Sequence, residues 1–374
     1  MARSLPQVGF LTGDIGQRHG WARYSHDLLL ALQRAGLPFT VVSARNSPPN
    51  EFLEQRRLLP GIVPAERQTL ARSLLASPAV ARALRDCDLL HSLIEPCAVC
   101  GLQVAGRRPH LVTAHGSYLR LLTQRRWPAG ALWRRSLARS QLVCVSRYTA
   151  RVAQDLLPGA QPLVIPNGID ASRFERPVTP RPVGGPTVLS VGAPKARKGT
   201  LELLRAMARV TADLPQARCV IVGNLRDSPV YVERLRAEIH RLDLEQRVTL
   251  TGQVDEPTLL AWYAAAQVFA LPSLNIGPRF EGFGLAHLEA GAAGLPVIGT
   301  RDCGAEDAIV EGETGLLLPQ QNVEEALAEA ITGLLRDPRR AQRMGAAGRA
   351  RALRQTWARV ADELIAHYRR LAAR

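Results

Sequence analysis

Lysine is nearly missing from this chain. Of its 48 basic side chains all are arginine except two, Lys195 and Lys198, which stand three residues apart in one loop. A composition that replaces lysine elsewhere and keeps it there marks that loop for chemistry. No run of about 18 uncharged apolar residues occurs, so no membrane-spanning helix is expected. The first residues, MARSLPQVGFLTGDIG, pass from one arginine into a strand-like segment without a signal peptide's apolar region. A cytoplasmic location is the expectation. The six cysteines (87, 97, 100, 144, 219, 303) are scattered, as reduced core cysteines are. Cys97-x2-Cys100, with Cys87 and His91 upstream, lacks the second close pair of a zinc site. No complete GxGxxG appears: Gly13-x2-Gly16-x3-Gly20 departs from it, which argues against a nicotinamide dehydrogenase.

What is present describes an α/β protein of two domains. At 374 residues and 46% apolar content there is room for two ordinary cores. Short apolar segments (7–11, 89–93, 110–116, 219–224, 247–254 and 268–274) alternate with helical patterns. Residues 47–86 read as helical and basic with proline breaks. FERPVTPRPVGGPT, from 174, has the composition of a linker. Domains are therefore expected at 1–178 and 179–355, with 356–374 as a closing helix. The net charge of +15 is lopsided: +12 lies in the chain up to Pro180 and +3 after it.

Residues 280–315, FEGFGLAHLEAGAAGLPVIGTRDCGAEDAIVEGETG, carry the strongest signal. Glu281 and Glu289 bracket a Gly282-Phe283-Gly284-Leu285 turn that opens a helix. Its first N–H groups lack intrahelical partners, and the glycines admit an anion closely. Glu289 is too far along to cap the helix and lies on an otherwise apolar stripe, so a hydroxyl-rich ligand such as a sugar or ribose is a fitting partner. Lys195, Arg197 and Lys198 precede another helix, where compact charge suits phosphate oxygens. His115 closes a strand, at the end where parallel sheets bind ligands.

FGL, EAGAAG, GLPVIGT and EGETGLLLP in this order, with VSRYT and VIPNGID before them, resemble the retaining nucleotide-sugar glycosyltransferases of family 4 (group 1). The resemblance is strong from about 140 to 320 and looser before. It implies the GT-B architecture, two Rossmann-like domains facing a central cleft, and transfer of a hexosyl group from a UDP- or GDP-linked sugar to a glycan or lipid-linked acceptor. It carries several roles to this chain. Glu289 would accept the ribose hydroxyls, while Arg197 and Lys198 would neutralise the leaving diphosphate. Glu281 and the N–H groups of Phe283, Gly284 and Leu285 would hold the sugar, with His115 beside the anomeric centre. Gly16 would approach the diphosphate, and Gly223 and the loop reaching Val254 would face the base. One departure stands out: Ala193 occupies the place of the usual arginine after Gly192, so Arg197 or Lys195 must replace it.

Neither metal nor other cofactor is expected, and no nucleic-acid partner. Asp86-Cys87-Asp88 looks like the metal-binding DxD of another glycosyltransferase fold but precedes its strand, on the side away from ligands. The rival readings are a sugar-nucleotide epimerase or a phosphorylase on the same fold, and a catalytically silent sugar-nucleotide-binding subunit. Finally, QRRWPAGALWRRSLARS (124–140) sets five arginines beside Trp127 and Trp133, an arrangement suited to peripheral attachment at an anionic membrane surface on its inner face.

Overall fold

The computed structural model describes residues 5–16, 20–61 and 67–373. They form two compact units, one of Met1–Gly168 with Thr356–Arg374, the other of Ile169–Gln355.

The first unit holds a seven-stranded sheet: β1 (Val8–Leu11), β2 (Phe39–Ala44), β3 (Arg56–Leu59), β4 (Leu89–Ser92), β5 (His110–Ala114), β6 (Gln141–Cys144) and β7 (Leu163–Val164), in the order β3-β2-β1-β4-β5-β6-β7. Every pairing is parallel. A parallel sheet covered on both faces must be apolar throughout, and β1, β4 and β5 are buried along their whole length. β3 corrects the expectation of helix through 47–86. It is an edge strand, paired to β2 by Val42↔Arg56 and Ser43↔Arg57, and an edge tolerates the exposed arginines of RRLL. The helical part of that region is Arg67–Ala83, and residues 62–66 lie outside the described set.

The closing helix, Trp357–Ala372, belongs to this unit. Thr356 caps it by accepting from the Arg359 N–H at 3.2 Å. Tyr368 meets His91 of β4 through its hydroxyl, 2.6 Å from Nδ1, and the other ring nitrogen of His91 meets Thr113 Oγ1 at 2.9 Å. These bonds satisfy a wholly buried imidazole, which burial keeps neutral by pushing its pKa well down.

The second unit repeats the plan with β8 (Thr187–Val191), β9 (Arg218–Val222), β10 (Val248–Gly252), β11 (Val268–Ala270), β12 (Val297–Thr300) and β13 (Gly315–Leu318), ordered β10-β9-β8-β11-β12-β13 and parallel throughout. In both sheets chain order runs outward from the first strand, then reverses between the first and the fourth. This is the doubly wound Rossmann order, with its ligand crevice at the reversal, beyond the strand C-termini.

The boundary lies at Gly168 and Ile169, earlier than the expected 178 and 179. Ile169 is buried and donates to the Gln355 carbonyl oxygen at 2.7 Å. The proline-rich stretch has a linker's composition, yet it is laid onto the second unit. The Arg181 N–H donates to Ala261 O at 3.3 Å, its guanidinium stands 5.3 Å from the Trp262 ring, and Phe174 packs edge-on against Tyr263 at 5.5 Å.

Candidate functional site

In the second unit the reversal falls between β8 and β11, and the loops leaving these strands are clamped together. Leu274 donates to the Arg197 carbonyl oxygen at 2.8 Å, and Lys198 to that of Lys195 at 2.7 Å. Gly199 takes the left-handed conformation (φ 65°), and a Cβ there would overlap the Pro272 carbonyl oxygen. The lysine loop is therefore anchored before any ligand arrives.

Its two cations converge on one atom. Glu281 Oε2 accepts from Lys198 Nζ, from Arg197 Nη1 at 3.2 Å and from Ser273 Oγ at 3.2 Å. Burial pushes the Glu281 carboxyl upward, but Lys198 and Arg197 outweigh it and hold the group well below the usual carboxylate range. Burial lowers the Lys198 ammonium, against the pull of Glu281. Two cations facing one carboxylate leave an excess of positive charge, enclosed where the dielectric is low. Lys195 is turned away, with its Nζ 3.0 Å from Asp227 Oδ2.

Glu281 leads into the glycine turn and the helix Leu285–Ala292. Gly284, at φ 82°, precedes the helix without a side-chain cap, so Leu285 and its neighbours present backbone N–H groups. Phe283 is buried as an anchor. Gly304, which the sequence reading passed over, lets the turn close: it donates to Glu281 O at 2.7 Å, and a Cβ on it would overlap the Gly282 carbonyl. His287 is buried, 3.2 Å from Leu271 O through Nε2, and burial pushes it down to about 4.

Glu289 has protein partners. Arg173 Nη1 donates to its Oε1 at 3.2 Å and the Tyr263 hydroxyl to its Oε2 at 3.4 Å. Its burial on an apolar stripe is thus compensated without a ligand, which the sequence reading did not foresee. Gly223 likewise has a structural reason to be glycine, since a Cβ there would overlap the Gly192 carbonyl oxygen. Val254 packs against the core cluster that contains Tyr263 and Phe269.

In the first unit, Gly16 follows β1 and donates to Asp14 Oδ1 at 2.6 Å; a Cβ on it would overlap Pro48. Residues 17–19 of the glycine loop lie outside the described set. His115 follows β5. Its Nε2 stands 2.8 Å from Leu93 O, so it bears the proton there, and burial pushes the ring down to about 4. Tyr24 meets the imidazole edge-on at 4.5 Å. The loop is held by Glu95, whose Oε1 accepts from the N–H groups of His115 at 2.7 Å and Gly116 at 3.2 Å. Glu95 is wholly buried, and its Oε2 has no partner. Burial pushes this carboxyl up to about 7. Sequence alone offered no reason to select it.

Residues 171–351 match the family described as Glycosyl transferases group 1, and residues 18–173 match Glycosyltransferase Family 4. Among curated proteins the chain is similar to the GDP-mannose-dependent alpha-(1-6)-phosphatidylinositol monomannoside mannosyltransferases of Mycolicibacterium smegmatis (35% identical) and Mycobacterium tuberculosis (37%), over 216 residues and 55% of each chain. The match thus spans about half the length of these relatives. Among solved structures it resembles a sucrose-phosphate synthase from Thermosynechococcus elongatus (TM-score 0.79, 26% identical, covering 98% of this chain and 99% of that one). Anabaena HepE in complex with UDP-glucose shares the fold (TM-score 0.74, 20% identical, covering 97% and 98%). With two Rossmann-ordered sheets and two adjoining family matches reaching from residue 18 to residue 351, the chain belongs to the group 1, family 4 glycosyltransferases of GT-B fold.

Proposed function

We propose that this protein transfers a sugar, with retention of anomeric configuration, from a nucleoside diphosphate sugar to a glycan or lipid-linked acceptor in cell-envelope synthesis. The observation that carries the reading is the convergence of Lys198 and Arg197 on Glu281 at the β8/β11 reversal. As the glycosidic bond breaks, the departing diphosphate gains a negative charge. Preorganised cations next to it stabilise that charge more in the transition state than in the bound donor. Glu281 keeps both cations in place until the donor arrives and then serves as an acceptor for sugar hydroxyls. Arg197 takes over from the arginine absent at Ala193, since Lys195 pairs with Asp227.

The protein cations supply the neutralisation that a metal ion supplies elsewhere, so activity is expected to survive a chelator. In this reading Glu289 receives the ribose, and His115, which burial keeps neutral near pH 7, is the first unit's candidate for the sugar. The GDP-mannose dependence of the curated relatives makes GDP-mannose the first donor to test, with UDP-glucose next.

For the acceptor side, the basic segment supports a peripheral membrane position. Trp127 is 84% exposed and Leu132 39% exposed, with Arg126, Arg135 and Arg139 exposed around them. Trp133 is buried and drops out of the patch. Thermal melts against UDP-, GDP- and ADP-sugars identify the donor, because a ligand at 100 times its Kd adds about 2.7 kcal/mol. NMR of the transferred anomer then tests retention. Donor-dependent isomerisation without acceptor would overturn the reading.

A further inference from the structure

Arg173, in the short 3₁₀ turn Ala171–Phe174, is a half-buried cation that the proposed chemistry leaves unused. Its side chain is 16% exposed and bridges two carboxylates. Nη1 donates to Glu289 Oε1 at 3.2 Å, while Nε donates to Glu256 Oε1 at 2.5 Å and Nη2 pairs with the same oxygen. Glu256 opens the helix Glu256–Ala265, where the dipole favours a carboxylate. Phe174 packs between the neighbours of this chain of charges, 5.5 Å from Arg173 and 5.5 Å from the Tyr263 ring, and the Tyr263 hydroxyl bonds the other oxygen of Glu289. Burial works against the guanidinium, and the two carboxylates more than restore it.

Both oxygens of Glu289 are thus fixed from the protein side. A carboxylate offers roughly four acceptor directions, and a rigid guanidinium on one oxygen with a hydroxyl on the other sets the plane in which the rest point. A vicinal diol needs two acceptors in one plane at a fixed spacing. We propose that Arg173, braced by Glu256, is a positioning residue that orients the Glu289 carboxylate and thereby sets the preference for a ribose bearing both hydroxyls. This rests on the assignment of Glu289 to ribose. It differs from a role in folding alone, which would weaken all nucleotides equally.

Calorimetry of GDP and UDP against their 2′,3′-dideoxy counterparts tests it, in the wild type and in Arg173→Gln, Arg173→Lys and Glu256→Gln. The wild type should bind the ribonucleotide at least about tenfold tighter than the dideoxy form. Arg173→Gln should bring that ratio close to one by weakening the ribonucleotide while leaving the dideoxy affinity in place. Glu256→Gln should reduce the ratio partly, and Arg173→Lys should keep more of it than Arg173→Gln. If Arg173→Gln is unstable, the Lys and Glu256 variants carry the test. A wild-type ratio near one overturns the ribose assignment of Glu289 and this inference with it. A large wild-type ratio that all three variants retain overturns the positioning role and leaves Glu289 in place.

Discussion

Lys198 and Glu95 show how burial is handled in opposite ways. Lys198 is half-buried against an opposite charge, so its ammonium is held ready for a second anion. Lys198→Ala should lower kcat by at least about a hundredfold, more than it raises donor KM, because the charge it meets is largest in the transition state. Steady-state kinetics check this, and a change confined to KM would make the role uniform binding. Glu95 is buried with one oxygen unpartnered and a pKa pushed up to about 7. A folded-state value above the unfolded one means that the native state holds the proton longer. Its stability is full below about pH 4.5 and falls as pH rises toward 7, by about 3 kcal/mol in all. Glu95→Gln removes that loss while still accepting from His115 and Gly116. It should melt higher than wild type at pH 8 and equally at pH 5. Equal melting at both would show the buried carboxylate to be compensated. Legibility at this scale followed rarity. Lys198 stood out because lysine is scarce, whereas Arg173 is one of many arginines and nothing local distinguishes it. Its two carboxylates lie 83 and 116 residues away.

At the scale of elements, alternating apolar segments and glycine-opened helices were readable because both periods are local. The edge strand β3 was not, since its arginines and its length resemble a helix turn until β2 is there to pair with it. The unit boundary also escaped, because proline and glycine mark a stretch without regular hydrogen bonding whether it hangs free or is pinned, as here by Arg181 and Phe174. The pairing of Glu289 changes one expectation outright. A carboxylate with a ligand as its only partner could be removed without loss in the apo protein. Glu289→Ala instead deprives the half-buried Arg173 of a partner, so it should lower the stability without nucleotide by about 1–3 kcal/mol as well as weaken nucleotide binding. Melts with and without nucleotide separate the two effects. The segment 124–140 makes a different kind of prediction. Of its four exposed arginines Arg134 is tied to the Thr123 carbonyl oxygen, and the other three contribute about 1 kcal/mol each at an anionic bilayer, with Trp127 as an interfacial anchor. Arg126→Gln with Arg135→Gln and Arg139→Gln should abolish sedimentation with anionic vesicles at low salt. Binding that ignores vesicle charge, or that survives high salt, would remove the membrane from the account.

At the scale of the molecule, the chain completes its first unit only with its last residues. Trp357, Val360, Ala361, Leu364, Ile365 and Tyr368 are all buried in that unit. Gly168 leaves no room for a side chain against the Trp357 backbone, and Arg359 Nη2 donates to Pro166 O at 2.7 Å. Burying side chains of this size is worth about 1.5–3 kcal/mol apiece, so the helix contributes on the order of 10 kcal/mol. A domain's whole stability is about 5–15 kcal/mol. Removal would also strip His91 of its Tyr368 hydroxyl in the middle of the sheet, at the cost of an unpaired buried polar group. The two core clusters described for the second unit contain none of these residues. A chain ended after Gln355 should therefore lose the first unit and keep the second. Limited proteolysis should degrade 1–168 rapidly and leave a resistant fragment close to 169–355, whose nucleotide-stabilised melt persists because Lys198, Glu281, Glu289 and Arg173 all lie within it. Equal resistance of both halves would show that the closing helix is dispensable. Equal loss of both would show that the second unit cannot stand without the first.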